Sequence, residues 1–193
     1  ISDLVDKTQE STLTVWCETS KDDWSLGTAW AVELETEVSD KYPTTLITNH
    51  HVIEDCLGAK GKVTVALPRQ DEQRAVIVEW DAKNDLAVLA TKAKYPALKL
   101  SESPPWPGYW VMAFGSADGY EGSVAFGNVL NFYGTDLLIT NNLSSGNSGG
   151  PLIDNEGNVV GVNTWSRIDE QYNVAVSLDA FCAKILDCEF VTD

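Results

Sequence analysis

The sequence predicts an all-β protein made of two antiparallel six-stranded β-barrels, with a single helix near the C-terminus. Two observations carry this expectation. Short apolar or alternating runs recur between turn signals along the whole chain, and a proline-rich break divides them into two sets of six. The first set covers residues 13–17, 28–34, 44–48, 62–67, 75–80 and 86–90. The second covers residues 109–114, 123–132, 137–140, 151–153, 159–165 and 172–176.

Between the two sets lies Ser101-Glu102-Ser103-Pro104-Pro105-Trp106-Pro107-Gly108, where three prolines remove backbone donors and fix φ. This gives an N-terminal barrel over residues 1–100, a linker over 101–108, and a C-terminal barrel with its helix over 109–193. Asp154-Asn155-Glu156-Gly157-Asn158 tolerates positive φ and is expected to close a hairpin. Leu178, Phe181, Cys182, Ile185 and Leu186 fall at helical spacing behind Ser177, a candidate cap. Residues 1–7 bring Leu4 and Val5 together, but over too short a span to specify a helix.

Composition narrows the function. The 193 residues are 44% hydrophobic and 22% charged, without a long uncharged apolar run, so a soluble globular protein with no membrane span is expected. Thirteen Lys and Arg against 29 Asp and Glu give a net charge of −16, which repels nucleic-acid backbones and anionic lipid. Trp16, Trp30, Trp80, Trp110 and Trp165 lie in or beside predicted strands, which assigns them to core or groove rather than to a sugar-binding platform.

Cys17, Cys56, Cys182 and Cys188 form no C-x-x-C pair, and His50 and His51 are the only histidines, so neither a metal site nor a cofactor is expected. Of the three possible disulfide pairings, Cys17 with Cys56 and Cys182 with Cys188 keeps each bridge within one half of the chain. If these bridges form, the compartment is oxidising; four reduced, buried cysteines in a cytosolic protein are the alternative. Residues 1–7 lack the basic and apolar regions of a signal peptide, which suits a processed chain.

Acyl transfer by serine needs a nucleophile at a tight turn, an imidazole base, a carboxylate to orient it, and amide donors for the oxyanion. Gly146-Asn147-Ser148-Gly149-Gly150-Pro151 offers Ser148 between glycines, where a carbonyl can approach the amides of Gly146 and Ser148. In Leu46-Ile47-Thr48-Asn49-His50-His51-Val52 an apolar strand ends in histidine, a suitable place for a base. Asp85 stands where a polar loop enters the apolar run Leu86-Ala87-Val88-Leu89. Taken singly, these are a glycine-rich loop, a surface histidine and a strand-start aspartate; their combination favours chemistry.

The order of Thr48-Asn49-His50-His51-Val52, Asp85-Leu86-Ala87-Val88-Leu89 and Gly146-Asn147-Ser148-Gly149-Gly150-Pro151-Leu152 resembles trypsin-like serine proteases, especially the bacterial Deg/HtrA branch. Gly27-Thr28-Ala29-Trp30, Phe114-Gly115 and Val160-Gly161-Val162-Asn163-Thr164 extend the resemblance over most of the chain. It implies a chymotrypsin-like fold and a serine endopeptidase acting on polypeptide and, together with the cysteine bridges, a secreted or periplasmic protein. By the family pattern, Ser148 is the nucleophile, His51 the base with His50 as runner-up, and Asp85 rather than Asp81 the orienting carboxylate. Gly146 and Ser148 supply the oxyanion amides.

The resemblance also implies an extended substrate pairing with Thr164-Trp165-Ser166. Asn142-Leu143-Ser144-Ser145 corresponds to the base of the primary specificity pocket and holds no acidic residue, which disfavours cleavage after Lys or Arg, while Leu143 points to an apolar P1 residue of small to medium size, with Ser166 on the pocket wall. Asn147 stands where digestive relatives have an aspartate that pairs with a new N-terminal ammonium, so activation by Ile1 is not expected. The PDZ domain usual in Deg/HtrA relatives is not expected after residue 193, and the resemblance implies a protease domain alone. The alternatives are a catalytically inactive binding module of the same fold and an esterase sharing its chemistry.

Overall fold

Strands that are apolar on both faces can serve two cores at once. The computed structural model describes residues 1–33, 39–166 and 172–184, of which 165, 166 and 182–184 are described by backbone alone. The first closed antiparallel barrel comprises β1 (Thr12–Ser20), β2 (Asp23–Val32), β3 (Thr44–Thr48), β4 (Lys62–Ala66), β5 (Gln73–Asp81) and β6 (Leu86–Thr91). Its strand order is β1-β2-β3-β6-β5-β4. The second comprises β7 (Trp110–Ala117), β8 (Tyr120–Tyr133), β9 (Asp136–Ile139), β10 (Pro151–Ile153), β11 (Val159–Ser166) and β12 (Asn173–Ser177), in the order β10-β11-β12-β9-β8-β7. The expected pair of six-stranded barrels is what the chain forms.

Alternation along these strands sorts side chains into three cores. Leu13, Val15, Ala29, Ala31, Leu46, Ala87 and Leu89 fill the first barrel. Val111, Ala113, Val129, Leu137, Ile139, Leu152 and Val160 fill the second. The intervening residues, Trp30, Ile47, Leu86 and Val88 from the first barrel and Met112, Phe114, Ile153 and Val162 from the second, meet in one buried cluster between the barrels. This explains why residues 86–90 and 111–114 read as unbroken apolar runs. Burial of each large side chain contributes about 1.5–3 kcal/mol, so the seam is a core in its own right.

Two helices brace the seam. α1 (Ser2–Gln9) packs Leu4 and Val5 against the shared cluster, so the short N-terminal pattern is a helix once tertiary contacts support it. α2 (His50–Ile53) is a single turn after β3, followed by a 3-10 stretch from Glu54 to Ala59. α3 (Leu178–Lys184) places the Phe181 ring 5.9 Å from that of Trp30. Ser177 belongs to β12, and its hydroxyl makes no hydrogen bond among the described residues, so it does not cap α3. Leu34, Ile185 and Leu186, which the sequence pattern adds to a strand and to this helix, lie outside the described residues.

The hairpin expected at residues 154–158 forms: Asp154 N donates to Asn158 O at 2.9 Å, and Asp154 Oδ1 accepts from the amides of Glu156 and Asn158. β8 starts ahead of its predicted span because Asp118 and Gly119, with φ of 50° and 84°, close a two-residue turn after β7. Trp80 is 49% exposed on the outside of the first barrel, contrary to its assignment to core or groove.

Cys17 and Cys56 form a disulfide between β1 and the 3-10 stretch after α2, tying the segment that carries His51 to the barrel wall. The other expected pair, Cys182 with Cys188, reaches outside the described residues. Closing a loop of 39 residues lowers the entropy of the unfolded chain by about 4 kcal/mol in free-energy terms. The Cys17→Ala/Cys56→Ala variant is expected to lose about 2–4 kcal/mol in urea unfolding, with the midpoint falling and the slope little changed.

Candidate active site

β3 ends at Thr48, and Asn49 (φ −83°, ψ 148°) turns the chain into α2, which carries the two histidines. Their side chains part company. His50 Nδ1 lies 3.8 Å from Glu54 Oε2, one helical turn away. His51 faces Asp85 at the head of β6: its backbone N–H donates to Asp85 Oδ1 at 2.8 Å, and its Nδ1 lies 2.6 Å from Asp85 Oδ2. A carboxylate oxygen accepts, so this contact favours the tautomer of the neutral ring that carries its proton on Nδ1 and a lone pair on Nε2.

Asp85 is itself held in an uncommon conformation, φ 54°, reached by few residues other than glycine. Two neighbours impose it. Asp81 accepts from the amides of Lys83 and Asn84 and from Asn84 Nδ2, which tightens the turn before β6. Asn49, fully buried, donates from Nδ2 to Asp85 O at 2.7 Å. The Asp85 side chain is 26% exposed and that of His51 42%, so the pair opens to solvent and the carboxylate is only half-buried.

Ser148 comes from the other barrel, on the loop between β9 and β10. Gly146 and Gly149 have φ of 99° and 90°, and a Cβ on either would run into backbone: Ser116 O for the first, Thr28 O for the second. Here the glycine spacing of the motif has a steric reason. Ser148 O accepts from Thr28 N at 2.8 Å, and Gly149 N donates to Asn163 O at 2.7 Å, so the loop is pinned between β2 and β11. The Ser148 hydroxyl donates to Thr164 O at 2.8 Å, and no hydrogen bond joins it to His51 among the described residues.

Every peptide plane around Ser148 can be accounted for. Ser145 O accepts from Asp118 N at 2.5 Å and Asn147 O from Gly150 N at 3.0 Å. In a trans peptide the N–H points opposite to the C=O, so the amides of Gly146 and Ser148 face away from those anchors. Neither donates to a carbonyl among the described residues. Asn147, 4% exposed, lies with its Oδ1 against Gly115, while Ile1 is exposed at the head of α1.

The remaining predicted residues divide. Thr164 is buried, and its Oγ1 donates to Val162 O at 3.0 Å. Trp165 and Ser166 pair with Val174 and Asn173 of β12, while on the other side of β11 the short β10 reaches only from Val159 to Val162. That side of residues 163–166 therefore extends beyond the β10 ladder. Asn142 is exposed; Leu143 is 6% exposed and packs in the core of the second barrel. Behind them Asn141, fully buried, donates from Nδ2 to Val111 O and Ala125 O at 3.0 and 2.8 Å, in space left by Gly127.

Thr28, Asn49 and Asn163 lie within the sequence motifs without a role that the motifs themselves assign. Their signal is a polar residue inside an otherwise apolar strand or at its end. Among the described residues, no group of three or more His, Cys, Asp or Glu could hold a metal ion, and no helix is long and apolar enough to cross a membrane.

Comparison with known proteins agrees with the two-barrel fold. A family model described as the trypsin-like peptidase domain matches residues 27–162, a span containing His51, Asp85 and Ser148, and the chain belongs to that family. It is 37% identical over 134 residues to a probable periplasmic serine endoprotease, DegP-like, of Chlamydia trachomatis serovar D, covering 62% of this chain and 25% of that protein. A relative of the same description from Pseudomonas putida strain GB-1 is 34% identical over 154 residues, covering 72% of this chain and 29% of its own. The chain thus spans less than a third of the length of these relatives.

Among solved structures, the serine endoprotease of Yersinia pestis superposes with a TM-score of 0.79 at 26% identity, covering 95% of this chain and 64% of that one. A protease of M. tuberculosis in its active form gives 0.78 at 23% identity, covering 94% and 83%, a likeness of fold.

The packing at Gly149 yields a stability prediction. A Cβ there meets Thr28 O and Thr48 Oγ1 on a backbone already at φ 90°. Gly149→Ala is expected to cost about 3 kcal/mol or more in urea unfolding; a loss below about 1 kcal/mol would contradict this packing.

Proposed function

We propose that this chain is a serine endopeptidase domain that hydrolyses peptide bonds of proteins through an acyl-enzyme, with Ser148 as nucleophile, His51 as base and Asp85 as the group orienting it. The observation that carries this reading is the double hydrogen bond from His51 N and Nδ1 to the Asp85 carboxylate. It fixes both tautomer and ring direction, leaving Nε2 to take a proton. The unengaged amides of Gly146 and Ser148 supply the second requirement, donors for a developing oxyanion. The division at residues 101–108 keeps base and nucleophile on separate barrels.

The mechanism follows from these groups. The Ser148 hydroxyl turns from Thr164 O toward His51 Nε2, which accepts its proton as Oγ bonds to the scissile carbonyl carbon. Negative charge moves to the carbonyl oxygen, between the Gly146 and Ser148 amides. Imidazolium returns the proton to the departing amine as the C–N bond breaks, leaving an ester on Ser148. Water then attacks that ester with the same proton transfers and releases the acid. Asp85 stays ionised throughout and stabilises the imidazolium.

Substrate is held as an added strand along residues 164–166, because β11 extends past β10 there. An apolar P1 residue is favoured by the lack of any acid in Asn142-Leu143-Ser144-Ser145 rather than by Leu143 itself, whose side chain is taken up in the barrel core. The Cys17–Cys56 disulfide suits a secreted or periplasmic protein, and the relatives are described as probable periplasmic proteases.

Fluorogenic peptides carrying each residue at P1 test the reading. Wild-type protein is expected to cleave after apolar residues; strong preference for Arg or Lys would refute the pocket assignment. Ser148→Ala and His51→Ala are each expected to lower kcat by about 10⁶, and Asp85→Asn by about 10⁴. Cleavage retained at full rate by His51→Ala would exclude it as the base.

A further inference from the structure

The oxyanion amides act only if their peptides are held in place, and Asn147 has no charge with which to anchor them. We propose that Thr28, on the opposite barrel, is the positioning residue that does so, a role that rests on the function proposed above. Thr28 is fully buried, and two of its polar groups, the hydroxyl and the backbone N–H, serve the nucleophile loop. Oγ1 donates to Gly146 O at 2.7 Å and accepts from Ser116 N at 3.0 Å, and the backbone N–H donates to Ser148 O at 2.8 Å. Its carbonyl accepts from Thr48 Oγ1 at 2.7 Å, which ties the clasp to the strand leading to His51.

The hydroxyl sets a peptide plane that nothing else on that side holds. With Gly146 O directed at Thr28, the N–H of the same peptide points the other way and donates to Ser144 O at 3.1 Å. The preceding peptide, which carries the Gly146 N–H, is anchored through Ser145 O at Asp118, so Thr28 holds the plane that links the two oxyanion peptides. Ser116 is secured in turn: its hydroxyl lies 2.5 Å from that of Thr14, the cross-strand partner of Thr28 in β1. Two adjacent threonines of the first barrel thus fasten the end of β7 and the nucleophile loop together. An ordinary strand threonine needs none of these partners, which lie 88 and 118 residues away in sequence.

Valine has the shape of threonine without the hydroxyl. Thr28→Val leaves the Gly146 carbonyl and the Ser116 amide unpaired in a buried place, and the 146–147 peptide is free to turn toward other donors. Removing one oxyanion donor outright costs about 10²–10³ in kcat, so displacing one by its support is expected to cost about 10- to 100-fold. KM for a peptide amide should stay within about twofold, and a peptide boronate, which mimics the tetrahedral state, should lose affinity in step with kcat.

The experiment compares parent, Thr28→Val and Thr28→Ser for kcat, KM and boronate affinity at 25 °C, with circular dichroism to establish folding. Thr28→Ser keeps the hydroxyl and is expected to recover kcat to within about threefold of the parent. If Thr28→Val does not fold, Thr28→Cys, a weaker donor, is read in its place and is expected to show an intermediate kcat. A folded Thr28→Val, or Thr28→Cys in its stead, with parental kcat and boronate affinity overturns the proposal, as does a fall in kcat that Thr28→Ser does not recover. Absence of peptide hydrolysis by the parent would instead refute the function on which it rests.

Discussion

The hydrogen bond from Thr28 N to Ser148 O is the contact on which the site depends. His51 and Asp85 belong to one barrel and Ser148 to the other, so no local property of either half can set their distance. The bond fixes the loop of one barrel to a central strand of the other. Beneath it lies the cluster of Trp30, Leu86, Val88, Met112, Phe114 and Val162, which prevents the barrels from sliding. Close-packed side chains of this size tolerate little displacement. A polar site is thereby built on an apolar seam.

Around that contact the two halves of the chemistry are prepared differently. The His51–Asp85 pair is local to the ends of β3 and β6, and it is maintained by an aspartate at positive φ whose carbonyl is held by Asn49. The Ser148 loop has no charged anchor and relies on many ordinary hydrogen bonds, each peptide having at least one engaged end. Its hydroxyl rests on Thr164 O, on the strand along which a substrate would lie. Strand addition by a peptide would bring new N–H donors to this region, beside the Ser148 hydroxyl.

Much of this was legible in the sequence. Two sets of six runs gave two barrels, because each strand buries at least one face and turn residues mark the ends. The His51, Asp85 and Ser148 motifs were readable because each sits at a strand end with an unusual residue type. What stayed hidden depends on partners far apart in the chain. Thr28 looks like any β-branched strand residue, and its link to Gly146 spans 118 positions. Asp85 at positive φ, the packing of Leu143 into the barrel and the exposure of Trp80 have no periodic signature, since each is decided by what lies opposite. Asp118-Gly119 was a hairpin signal in plain sight, and it explains why β8 is longer than its apolar run.

The central claim is that Ser148 is a nucleophile activated by His51 across the seam. Intact-mass analysis and peptide mapping after exposure to a fluorophosphonate test it most directly, since that reagent phosphonylates a serine whose proton a base can take. The account requires one adduct per chain, located on Ser148, and a large fall in its rate of formation in His51→Ala. An unmodified Ser148 in protein that hydrolyses peptides, or labelling that proceeds at the same rate without His51, would contradict it.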